Sequence, residues 1–192
     1  MLSLRALALS IFAFLVVPAA AQAQSTGGTE YVPPPPENMS VAGSVAQLLP
    51  DGSAAAPADA PEPVKQAIWA ANKLQDMPYK YGGGHAKIED SGYDCSGTVS
   101  YALIHAGLLT SPLPSGPFMS WGERGKGLWI TVYAHGGHAY AVIAGLRLDT
   151  SAYASRTART RRIAASAFER GPRWRPTSRP SRGFRARHPL GL

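Results

Sequence analysis

Only one cysteine occurs among the 192 residues, and it stands in Gly92-Tyr93-Asp94-Cys95-Ser96-Gly97-Thr98-Val99, where a loop gives way to a helix. Apolar residues then recur at helical spacing, at Val99, Leu103 and Ala106, and Gly107 stands where a helix stop belongs. This puts Cys95 in the first turn, where unpaired backbone N–H groups and the positive end of the helix dipole favour an anion. A thiolate is such an anion, and helix N-termini lower cysteine pKa values for that reason. A free cysteine is also a small hydrophobe that packs well in cores. By itself the residue fits either role, and the rest of the chain has to decide.

The amino terminus reads as a secretory signal over residues 1–23. Arg5 supplies the positive end, Ala6 to Val17 is an apolar stretch too short to span a bilayer, and Ala21-Gln22-Ala23 offers a small-x-small cleavage pattern. A retained anchor is the alternative. Lipid attachment is excluded, because no cysteine follows the apolar run. The expected compartment is outside the cytoplasm, secreted or periplasmic, where a lone thiol needs a reason to exist. Residues 24–58 read as a linker, with polyproline at Pro33 to Pro36 and an Ala, Gly, Pro and Ser-rich run from Asp51 to Ala60.

A single domain is expected over residues 59–151. Asp59-Ala60-Pro61-Glu62 has the form of a capping box, and Val64, Ala67, Ile68, Ala71 and Leu74 form one face of the helix behind it. Next comes Met77-Pro78-Tyr79-Lys80-Tyr81-Gly82-Gly83-Gly84-His85. Its glycines permit close backbone approach. No Lys-Ser/Thr follows them, so this is not a phosphate-binding loop.

The two motifs together, Pro78-Tyr79-Lys80-Tyr81-Gly82-Gly83 followed after a short loop by Gly92-Tyr93-Asp94-Cys95-Ser96-Gly97, resemble the NlpC-type cell-wall cysteine peptidases, papain-like enzymes that cut peptidoglycan stem peptides. The resemblance covers about residues 60–151. It implies an α+β fold of papain-like NlpC type, with the catalytic helix packed on a small antiparallel β-sheet. It further implies that Cys95 is the nucleophile, that Tyr79 lies beside it, and that Asp94 and Ser96 contact the free amino-terminal end of the substrate.

A nucleophilic thiol requires a base. Leu128 to Ala134 reads as a strand, His135-Gly136-Gly137-His138 as a turn, Ala139 to Ala144 as a second strand, and Leu146 to Ser151 as a third after a turn at Gly145. The resemblance points to His138, at the head of the second strand, as the general base. His135, on the loop side, is the rival, and a base is better held by a rigid element than by a loop. His188 is a distant competitor. Strand parity then selects a third group. With Ala144-Gly145 as a two-residue turn, Ile143 faces Leu146 and Tyr140 faces Asp149, so Asp149 shares a face with His138 at ~7–8 Å between backbones. The family more often carries His, Asn or Gln after a longer turn. An ordinary ion pair between Asp149 and Arg147 is the competing reading.

Metal binding by His85, His135, His138 and Asp149 is not expected. His135 and His138 flank a glycine turn and lack the helical i, i+4 spacing of a zinc site. No cofactor is required. Phe118, Met119 and Trp121, in the loop region Leu108 to Gly127, read as core or loop anchors before groove lining.

From Thr150 to Leu192 there are eleven arginines and one acidic residue, Glu169, whereas the rest of the chain carries 8 basic and 11 acidic residues. Residues 152–192 therefore form an Arg-rich extension suited to an anionic wall polymer or membrane surface, or simply to solvent; nucleic acid is not the expected partner. A short helix near Ile163 to Phe168 and a final edge strand at Arg182 to His188, stopped by Pro189, are expected. Gly171-Pro172-Arg173-Trp174-Arg175 offers a glycan or polyanion contact. The functional expectation is a secreted, monomeric cysteine peptidase acting on peptidoglycan stem peptides or crosslinks. A papain-like amidase or acyltransferase and an inactive wall-binding module are the alternatives.

Overall fold

The computed structural model describes residues 38–151, 171–176 and 182–192. Three short strands come first: β1 (Ser40–Val41), β2 (Gln47–Leu48) and β3 (Ala54–Pro57). They form a small sheet in the order β1-β3-β2. Two helices follow, α1 (Glu62–Asn72) and α2 (Cys95–His105), then a single turn α3 (Ser115–Phe118). The remaining strands are β4 (Glu123–Arg124), β5 (Ile130–His135), β6 (His138–Ile143), β7 (Leu146–Asp149), β8 (Arg173–Pro176) and β9 (Arg185–His188). They make one antiparallel sheet, ordered β4-β9-β5-β6-β7-β8. Helix α2 packs between α1 and strands β6 and β7. Val64, Ile68, Val99, Leu103, Ile130, Ile143 and Leu148 are completely buried in that core. Among the described residues no helix is long and apolar enough to cross a membrane.

Two tight turns set the register of the central sheet. Gly136-Gly137 closes β5 on β6 with His135 opposite His138. Ala144 (φ 45°) and Gly145 (φ 90°) close β6 on β7, both on the left-handed side, as a type I′ turn requires. Ile143 is therefore paired with Leu146, Val142 with Arg147 and Ala141 with Leu148.

Four expectations need correction. The linker expected over residues 24–58 does not extend through residues 38–58. All four residues of β3 are buried, and both backbone groups of Ala54 are taken by the Asn72 side chain of α1, at 2.9 Å each. Small alanine side chains let the strand lie this close to the helix. A strand buried on both faces also loses the alternation that would have revealed it. The capping box at Asp59 does not form: the N-cap of α1 is Pro61, with no side-chain cap bond. The Asp59 N–H instead donates to the Gly43 carbonyl at 3.1 Å, which holds that segment against the small sheet.

The last strand is not an edge: β9 lies between β4 and β5. Trp174 offers no glycan platform, because it is buried in β8 and its indole N–H donates to Asn72 Oδ1 at 2.8 Å. The loop region Leu108 to Gly127 contains α3 and β4, with Phe118 buried and Met119 and Trp121 packed against the core. The helix expected near Ile163 to Phe168 lies outside the described residues, as do the signal segment and the first part of the linker.

The glycine motif has a steric cause. The loop Gly82–Gly84 lies against the start of α2, so that a Cβ on Gly97 would run into the Gly83 carbonyl oxygen, and one on Gly83 into the Gly92 carbonyl oxygen. Only glycines allow the two motifs to touch.

Candidate active site

Cys95 is the first residue of α2 and is partly exposed. Asp94 caps the helix. Its Oδ1 accepts from the Gly97 N–H at 2.7 Å, and its carbonyl accepts from the Thr98 N–H at 3.0 Å. The N–H groups of Cys95 and Ser96 make no hydrogen bond within the described residues, so two donors at the positive end of the helix stay open beside the thiol.

The sheet delivers the second group. His138 begins β6, and its Nε2 lies 3.0 Å from Asp149 Oδ1 at the end of β7. Cys95 lies close enough to the ring to influence its pKa. With Nε2 committed to the carboxylate, Nδ1 is the nitrogen left for the sulfur. Burial alone would lower the pKa of this imidazole, but hydrogen bonds and charges from Asp149 and Cys95 outweigh it and raise the value to about 9. The ring is thus cationic at neutral pH.

A testable consequence concerns stability. The folded pKa of His138 is raised above the ordinary 6.5, so its contribution is complete below about pH 6.5 and is lost as the pH rises through about 9. Urea unfolding should show the wild-type protein losing ~3 kcal/mol across that interval relative to His138→Gln. Equal slopes for the two proteins would contradict this.

Asp149 is completely buried and holds more than the histidine. Its Oδ1 accepts from the Ser151 N–H at 2.9 Å and its Oδ2 from the Ser151 hydroxyl at 2.8 Å. Arg147 Nε lies 3.5 Å from Oδ2. The ion pair posed as the competing reading exists together with the histidine contact, because Arg147 and Asp149 lie two residues apart on one face of β7. The rival histidines are directed elsewhere. His135 Nδ1 accepts from the Gly137 N–H at 3.0 Å, and its ring packs on Phe184 with centroids 4.4 Å apart. His188 Nδ1 donates to the Pro189 carbonyl at 3.0 Å. Among the described residues no three His, Cys, Asp or Glu side chains gather as a metal ion would need.

A cleft of about 550 Å³ opens over the thiol. Tyr79, Asp94 and Ser96 line it together with Cys95, and Ser115 to Pro117 and the Gly136-Gly137 turn form the opposite wall. A bridge between Tyr79 and Tyr93 holds Tyr79 alongside α2. Its pKa is raised, first by burial and then by the charges of Cys95, Asp94 and Tyr81, so its hydroxyl remains a proton donor at neutral pH. His85 also lines the cleft, with Nε2 3.0 Å from Asp94 Oδ1 and 3.2 Å from Ser96 Oγ. Sequence reasoning weighed His85 only as a metal ligand. The signal that could have found it is its place directly after the glycines that touch α2.

No family model matches the chain, and no curated protein matches it. Among solved structures it is similar to the peptidoglycan hydrolase RipB from Mycobacterium tuberculosis, at 20% identity and a TM-score of 0.44, over 66% of this chain and 64% of that one. The similarity therefore spans less than two thirds of that protein.

Proposed function

We propose that the protein is an exported cysteine peptidase that hydrolyses amide bonds in peptidoglycan stem peptides or crosslinks. The observation that carries this reading is the His138 ring, which is held by the Asp149 carboxylate at 3.0 Å and lies close enough to Cys95 for the thiol to shift its pKa. The paired motifs around Tyr79 and Cys95 supply the substrate class through their resemblance to NlpC-type enzymes. In the reaction, the Cys95 sulfur as thiolate attacks the scissile carbonyl carbon, and the open N–H groups of Cys95 and Ser96 stabilise the oxyanion. His138, already carrying the proton, gives it to the departing amine as the C–N bond breaks. It then takes a proton from the water that attacks the thioester; the C–S bond breaks, the new carboxylic acid leaves, and Cys95 returns to the thiolate beside a protonated His138. Asp149 keeps the ring in the required tautomer and orientation. Tyr79 adds a hydroxyl donor at the cleft wall. The chemistry needs no cofactor.

The exposed arginines of the C-terminal part, Arg173, Arg182 and Arg185 among those described, suit an anionic wall polymer or membrane surface. Digestion of purified muropeptides tests the reading. New amino termini within the stem, read by mass spectrometry, are the expected result. Release of the whole stem from the glycan would instead make the protein an amidase. No cleavage, together with a Cys95 that reacts with iodoacetamide no faster than a free cysteine, would leave a binding module.

A further inference from the structure

Beside the His138 ring lies a group of aromatic side chains that the reaction above does not use. Strand register accounts for their meeting. Tyr133 is opposite Ala186 and Ala134 opposite Arg185, so one further step of the register sets Phe184 beside His135, which is itself opposite His138. Residues directly opposite one another share a face of the sheet. Phe184, His135 and His138 thus form one row at the end of the sheet, and Tyr133 and Tyr140 belong to the row behind it. The two tyrosine rings are stacked, with centroids 4.9 Å apart and planes 10° from parallel. Phe184 makes a T-shaped contact with Tyr140 at 5.1 Å, packs on His135 at 4.4 Å, and meets His138 at 6.2 Å with the planes 79° apart.

The chain reaches Phe184 through Gly183, whose φ of 83° turns it toward β9. The Arg-rich extension expected over residues 152–192 therefore contributes a ring to the surroundings of the catalytic histidine. Phe184 is itself partly exposed, whereas the Asp149 side chain is completely buried and that of His138 is only 15% exposed. The hydrogen bond between His138 Nε2 and Asp149 Oδ1 is kept nearly dry, and a dry setting strengthens it. Phe184 does not line the cleft, so its ring can act on the reaction only through His138.

We propose that Phe184 is a positioning residue: its ring fixes the orientation of the His138 imidazole and keeps water away from the His138–Asp149 hydrogen bond. This deepens the peptidase reading and rests on it for the role of His138. Each turnover passes one proton from His138 to the leaving amine and another back from water, and both transfers need the ring held in one place.

The test compares the full wild-type chain with Phe184→Ala and Phe184→Leu. In Phe184→Ala, kcat for muropeptide hydrolysis should fall roughly 10²-fold with KM unchanged, the scale on which a misplaced catalytic group is felt. Leucine keeps an apolar cover in the same place and should restore most of the rate. Proton NMR in water gives a readout that packing alone would not move. The His138 Nε2–H resonance, assigned by its absence in His138→Gln, should be visible in wild type and Phe184→Leu and lost to solvent exchange in Phe184→Ala. Thermal unfolding should change little, because β4 and β5 hold β9 by its backbone. Unchanged kcat in Phe184→Ala, a rise in KM in place of the fall in kcat, or a resonance that persists without the ring overturns the proposal. So does a leucine variant as slow as the alanine one, or collapse of the fold in Phe184→Ala, which would make the ring a packing residue. Wild-type protein that cleaves no muropeptide, while the resonance still depends on residue 184, would overturn the peptidase reading and leave the shielding of His138 standing.

Discussion

Cys95→Ala is expected to lower muropeptide hydrolysis by about 10⁶-fold, the scale on which loss of a catalytic nucleophile is felt. The fold should survive. The sulfur is partly exposed, so removing it leaves no sealed cavity. The cap of α2 depends on Asp94, Gly97 and Thr98, not on the Cys95 side chain. Thermal unfolding should therefore stay close to wild type while product release, followed by chromatography, vanishes. The substitution also removes one of the influences that raise the His138 pKa, so the imidazole should titrate lower in Cys95→Ala, as histidine NMR would show. Turnover within tenfold of wild type would remove Cys95 from the mechanism altogether. Lost turnover with a collapsed fold would mean that the thiol is a packing residue after all.

How far the residues announce the structure depends on how local the determining physics is. His138 and Asp149 could be set side by side before any coordinates, because two tight turns count residues: a Gly-Gly turn starts β6 at His138, and a two-residue turn at Ala144-Gly145 fixes the parity that carries Asp149 to the same face. Cys95 at a helix tip is equally local, needing only an apolar repeat and a stop. Strand β3 could not be read this way. Ala54 to Pro57 has the composition of a linker, and only burial against α1 and the reach of Asn72 make it a strand. Strand β8, four residues long with Trp174 turned inward, is likewise created by its neighbours. The reading of the loop before the sheet held because size is a local property. Phe118, Met119 and Trp121 went to the core as bulky apolar groups should, which left Ser115, Gly116 and Pro117 to line the cleft, a consequence that composition does not show. His85 shows the remaining limit, since no periodicity encodes its contact with Asp94.

Substitution of Asp149 should separate two roles that one carboxylate performs. Asp149→Ala removes the acceptor for His138 Nε2 and frees the ring to rotate, so the rate should fall roughly 10²–10⁴-fold, the range attributed to a positioned acid–base group. Asp149→Asn should lose less, because an amide oxygen can still accept from Nε2–H and hold the tautomer. Stability divides differently. Arg147 is buried and lies 3.5 Å from Asp149 Oδ2, and breaking a buried pair by neutralising one partner costs about 3–5 kcal/mol. Asparagine abolishes the negative charge as completely as alanine does, so both variants should melt roughly 10 °C below wild type. The pH profile provides a third readout. His138 must carry a proton to serve the leaving amine, so wild-type activity should decline as the pH rises through about 9. Without the Asp149 charge and hydrogen bond, burial prevails, the imidazole pKa falls, and the alkaline edge should move toward neutral pH in both variants. An unshifted edge in Asp149→Ala, with turnover near wild type, would show that the carboxylate is only the counter-ion of Arg147 and that His138 is oriented by something else.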